Sequence, residues 1–174
     1  MRLERLTLAP YGRFADCTLD LRPDAALHVV LGANESGKTT ALAAIGDLLY
    51  GFPLRTDYGF RFEMGALRVG GAIRLASGAG FEFRRRKGRN ATVVDADDRA
   101  ISDAPLLAAL SGVDRRTFEM EFGLTAQALR EGGRALLAAS GGLAETLAAS
   151  SAGLSLASAA AFFQARSVAA RPAG

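Results

Sequence analysis

"LGANESGKTT", residues 31–40, is the stretch whose reading decides the fold. Residues Gly32 to Thr39 fit G-x-x-x-x-G-K-[ST] without a gap. Each fixed position has a physical reason. Backbone N–H groups in such a loop wrap a phosphate, and Gly32 and Gly37 permit the tight torsions this requires. A helix starting near Lys38 aims its unpaired N–H groups and positive dipole end at the same anion. Lys38 adds a full charge that reaches the β- and γ-phosphates, which makes it the candidate catalytic residue. Thr39 offers a hydroxyl to the Mg²⁺ that bridges those phosphates. Asn34, Glu35, Ser36 and Thr40 complete the expected nucleotide-binding set.

Working outward, the flanks supply the context a phosphate loop needs. "LHVVL" (27–31) is a continuous apolar run, the pattern of a fully buried strand. After the loop, Leu42, Ile45 and Leu49 fall on one helical stripe, and Gly51 with Pro53 stops the helix. Upstream, residues 2–8 and 16–21 read as strands, with Cys17, Leu19 and Leu21 alternating against Asp16, Thr18 and Asp20. Downstream, residues 67–98 return to period two. Leu67, Val69, Ile73 and Leu75 share a face, "SGAG" (77–80) turns the chain, and Phe81 and Phe83 begin the return. "ATVVDA" adds a third strand before Asp97-Asp98, so an antiparallel meander is expected.

The remainder reads as helical. Asp114 caps "RRTFEMEF", with Phe118 and Phe122 on one stripe. Thr125 caps a short helix expected to end at Gly132-Gly133, and "RALLAAS" and "LAETLAAS" follow, divided by Gly141-Gly142. The domain reading is a head region over 1–150 and an Ala/Ser-rich tail over 151–174.

Bulk composition narrows the class. At 174 residues and 49% hydrophobic, the chain has the size and content of one domain with a substantial core. A net charge of +3 is a weak hint of an anionic partner. Cys17 is the only cysteine, which excludes an internal disulfide and a cysteine-rich zinc site. The start, "MRLERLTLAP", breaks its leucines with charges, unlike a signal peptide. No strongly apolar run approaches the roughly 18 residues of a membrane span. A cytoplasmic location and no membrane partner are expected.

"MRLERLTLAPYGRFADCTLDL" followed by "LHVVLGANESGKTTALAAIGDLLYGFP" resembles the N-terminal head lobe of SMC-like ATPases. It looks most like the YhaN family, related to SbcC-type double-strand-break repair ATPases. The similarity continues through "LRVGGAIRL", "FEFRRRKGRNATVVDAD", "GVDRRTFEMEFGL" and "LREGGRALLAAS", nearly the whole chain. It implies an α/β P-loop NTPase fold, an ABC-ATPase-like N-terminal lobe with an antiparallel β meander and a helical C-terminal part. It implies ATP and Mg²⁺ as cofactors, and Arg13 in "PYGRF" as an arginine near the phosphates. It implies partners as well: a C-terminal head lobe across a coiled coil, a second head, an SbcD-like nuclease and DNA.

The chain also departs from a working enzyme of that kind. No apolar strand ending in Asp-Glu follows the loop, so the water-activating acid belongs to the C-terminal lobe, and the chain alone is expected to be incomplete for hydrolysis. "AASGGLAE" (138–145) only superficially matches a signature motif and reads better as a helix–Gly-Gly–helix break. Gln127 is the nearest candidate for the Mg²⁺-sensing glutamine, but it falls inside a predicted helix, so the role is not assigned to it. Glu35 is a loop residue rather than the base.

"RRRKGRN" (84–90) concentrates five positive charges on or beside a strand. It reads as a solvated edge that discourages aggregation, or as a backbone contact to DNA or a partner head. His28 and Cys17 read as packing residues. Two other functions stay open: a self-contained P-loop kinase or nucleotide-handling enzyme, and a non-enzymatic truncated nucleotide-binding module.

Overall fold

The computed structural model describes residues 1–123 and 125–138. The first compact unit is Met1–Gly123, and a second begins at Leu124. In the first unit, β1 (Arg2–Leu8), β2 (Cys17–Asp20), β3 (Arg68–Arg74), β4 (Gly80–Arg86) and β5 (Val93–Val94) make one sheet in the order β2-β1-β3-β4-β5. Every neighbouring pair is antiparallel. The expected meander is therefore present, and β1 and β2 extend it.

Period-two patterning decides which face of the sheet is covered. Leu6, Leu8, Val69, Ile73 and Phe83 are buried on one face. The other face carries charge: Arg5 pairs with Asp20 at 2.9 Å, and Arg74 with Glu4 at 2.5 Å. The helix α1 (Lys38–Tyr50) packs on β1, β3 and β4. Its buried residues are Ala44, Gly46, Asp47, Leu48 and Leu49. The expected stripe is thus rotated: Leu49 is buried, while Leu42 and Ile45 are only half-buried and line an apolar groove of about 280 Å³.

The far end of α1 is held by arginines from distant strands and helices. Arg85 donates to the carbonyls of Leu48 and Leu49, each at 3.0 Å, and to Thr92 Oγ1 at 2.8 Å. Arg115, from α3 (Arg115–Glu121), donates to Asp47 Oδ1 at 2.8 Å and to the Gly46 and Gly51 carbonyls. Tyr11 Oη donates to Asp47 Oδ2 at 2.8 Å. Cations at a helix C-terminus satisfy its orphan carbonyls and complement its dipole. Gly51, with φ 83°, ends the helix as expected.

Two expectations fail. "LHVVL" forms no strand; Leu27, Val29, Val30 and Leu31 are 77%, 67%, 50% and 87% exposed. None of the five strands pairs with this segment, and although Val30 and Leu31 line grooves beside β1 and β2, these apolar side chains stay largely exposed. In the second unit, α4 (Ala126–Ala138) runs straight through Gly132-Gly133. Each glycine costs a helix only about 1 kcal/mol relative to alanine, too little to break it. The Asp114 cap is present, its carboxylate accepting the Thr117 N–H at 2.7 Å, before α3. The preceding helix, α2 (Ala104–Leu110), adds Leu106 to the core. The Gly141-Gly142 break and the tail at 151–174 lie outside the described residues.

Candidate functional site

The loop between Gly32 and Lys38 is closed by its own lysine. Lys38 Nζ donates to the Gly32 and Ala33 carbonyls, both at 2.7 Å. The Ser36 N–H donates back to the Ala33 carbonyl at 3.2 Å. Gly37 stands at the N-cap of α1 with φ 99°, a left-handed torsion that favours glycine. A Cβ there would come within 2.3 Å of Phe14 Cζ, and one on Gly32 within 2.4 Å of Ser36 Oγ. Gly37 is therefore favoured by torsion and by space, whereas a side chain at Gly32 would have to displace the Ser36 hydroxyl.

No side chain caps α1, and its first turn holds no acidic residue. The orphan N–H groups and the positive end of the helix dipole thus remain available to an external anion. Around this terminus lies an open depression of about 750 Å³, lined by Arg13, Asn34, Glu35, Gly37, Lys38, Thr39, Thr40, Phe60 and Arg61. Seven of the nine residues expected at the site from sequence line it. Gly32 and Ser36 instead form the base of the loop.

Arg13 acts on the loop backbone. Its guanidinium donates to the Glu35 carbonyl, and Glu35 holds φ 62°, a torsion uncommon for a non-glycine residue. The strap that carries Arg13 is itself fixed: the Gly12 N–H donates to the Tyr58 carbonyl at 2.9 Å, and Arg61 donates to the Arg13 carbonyl at 2.9 Å. Phe60 and Arg61 were not among the expected residues. They sit in an irregular segment after α1, where no periodicity marks them.

The donor set fits a magnesium–nucleotide. An ammonium, two adjacent hydroxyls and an uncapped helix terminus suit a polyphosphate, and Mg²⁺ bound with phosphates needs only one or two protein ligands. Among the described residues, no three His, Cys, Asp or Glu side chains gather into a metal cage.

The basic run resolves into separate roles. Arg85 is buried beneath α1, and Lys87 donates to the Pro53 and Leu54 carbonyls at 2.7 and 2.9 Å. β4 is interior to the sheet, between β3 and β5, so the solvated-edge reading does not describe it. Arg84 and Arg89 remain exposed. His28 is half-buried, its Nε2 3.1 Å from the Arg22 carbonyl, and Cys17 packs half-buried against the core. Gln127 lies within α4. No described helix is long and apolar enough to cross a membrane.

Fold and site together define a mixed α/β domain with an anion-receptive helix terminus. The profile of a family described as "AAA domain" matches residues 1–167, and the chain belongs to that family. It is also similar to the Bacillus subtilis (strain 168) protein named "Uncharacterized protein YhaN", with 36% identity over 58 residues. That match takes in 33% of this chain and 6% of the relative. The AAA-domain match agrees with a nucleotide-binding, ATPase-like role, and the partial match agrees with a likeness to YhaN.

Proposed function

We propose that the chain is the ATP-binding N-terminal head lobe of a YhaN-like, SMC-type ATPase with a P-loop fold. The observation that carries this reading is the uncapped start of α1 inside a glycine loop closed by Lys38. The loop amides and Lys38 bind and neutralise the phosphates, Thr39 holds Mg²⁺, and Arg13 fixes the loop through the Glu35 carbonyl. Mg²⁺ held at Thr39 would supply charge neutralisation to the bound phosphates.

Water activation then falls to a C-terminal lobe. The exposed "LHVVL" run supports this, because a strand from that lobe would bury it. Service in DNA repair or processing, a second head and a cooperating nuclease follow from the resemblance. The exposed Arg84 and Arg89 suit a sequence-blind phosphate contact. Equilibrium dialysis and phosphate release test the reading together. The chain is expected to retain MgATP and to release phosphate near background. Failure to retain it, or robust release abolished by Lys38→Ala, would overturn the proposal.

A further inference from the structure

Phe60 is 73% exposed, yet the turn that presents it is anchored on both sides. Two residues earlier, Tyr58 stacks on buried Tyr11 with ring centroids 5.0 Å apart, and its carbonyl accepts the Gly12 N–H. One residue later, Arg61 holds the Arg13 carbonyl at 2.9 Å, and its guanidinium lies 5.6 Å from the Phe62 ring centroid. Arg13 in turn grips the loop at Glu35. The backbone that carries the ring is thus tied to the loop that carries Lys38, and the ring has no aromatic partner among the described residues.

Single exposed apolar side chains are ordinary. What separates Phe60 from Leu54, which is 79% exposed, is that Phe60 lines the same depression as Lys38 and Thr39. At about 750 Å³, that space has the volume of a small-molecule site, roughly 300–1,000 Å³. The loop and the helix terminus account for its polar side; Phe60 is an apolar, planar group on its rim.

We infer that Phe60 is the stacking platform for the base of the nucleotide whose phosphates the loop holds. The inference rests on the Mg-nucleotide reading of that loop. An aromatic face stacks on any base, so Phe60 adds affinity without choosing between adenine and guanine.

The chain contains no tryptophan, so Phe60→Trp installs a single indole as a reporter. The full chain is titrated with Mg-ATP, Mg-GTP and Mg-tripolyphosphate, by calorimetry and by fluorescence. Both nucleotides should quench the indole of Phe60→Trp, and tripolyphosphate should bind without quenching it. Phe60→Ala should weaken both nucleotides about tenfold and leave tripolyphosphate affinity unchanged, while Phe60→Tyr retains nucleotide affinity. Nucleotide affinity unchanged in Phe60→Ala, with all three ligands binding wild type, would overturn the role of Phe60 alone. If neither nucleotide nor tripolyphosphate binds wild type, the loop reading itself fails and the inference falls with it.

Discussion

Leu48, fully buried in α1, lies against Gly71 of β3, where a Cβ would come within 2.4 Å of Leu48 Cδ2 and 3.2 Å of the Arg5 carbonyl. The absence of a side chain at Gly71 lets α1 settle onto the sheet, and so sets where its N-terminus points. One wall of the contact is backbone and cannot yield. Gly71→Val is therefore expected to destabilise the fold by about 1–3 kcal/mol, read as a lower urea midpoint. An unchanged midpoint would show that α1 does not depend on this contact.

The C-terminus of α1 depends on Arg85. Arg85→Met removes charge-assisted bonds to two helix carbonyls and to Thr92, and is expected to cost about 3 kcal/mol. Arg85→Lys should not restore the loss, because an ammonium lacks the planar fork that serves all three acceptors. Full recovery by lysine would mean that charge alone holds the helix end.

How far the sequence foretold this arrangement depends on what each signal encodes. The loop motif, the bounds of α1, the meander and the Asp114 cap were legible because each is written in local spacing. "LHVVL" has the apolar pattern of a buried strand, but the pattern cannot say whether a neighbouring strand exists. Arg85 was hidden in a basic run because its acceptors, the carbonyls of Leu48 and Leu49, are 37 and 36 residues away in sequence. Phe60 and Arg61 lie among turns, and only the folded strap at Tyr11–Arg13 brings them to the loop.

Acid should weaken the fold through specific carboxylates. Hydrogen bonds from Arg74 and Arg68 hold Glu4 and Asp98 below their usual values of 4.5 and 3.8, and backbone hydrogen bonding at Thr117 does the same for Asp114. Their folded pKa values lie below the unfolded ones, so their stabilisation is complete above about pH 4.5. It is lost as pH falls through the folded values. Urea midpoints should drop below pH 4.5, and the double variant Glu4→Gln, Asp98→Asn should show a shallower drop. An identical slope in the variant would rule these pairs out.

Alkali should act through tyrosines. Burial raises Tyr11, Tyr50 and Tyr58 above the usual 10, with the Asp47 carboxylate adding to the shift at Tyr11 and Tyr58. Here the folded pKa exceeds the unfolded one, so stability is complete below pH 10 and declines as pH rises beyond it. Tyrosinate absorbance at alkaline pH should therefore appear together with the loss of helical circular dichroism. Ionisation of all three near pH 10 with the fold intact would contradict the burial seen at these rings.

The loop itself is tested most directly by calorimetric titration of Mg-ATP into the wild-type chain and into Lys38→Ala. Saturable binding by wild type, weakened at least tenfold in a variant that keeps the wild-type circular dichroism, is the predicted result. Equal binding by the two proteins, or none by wild type, would contradict it.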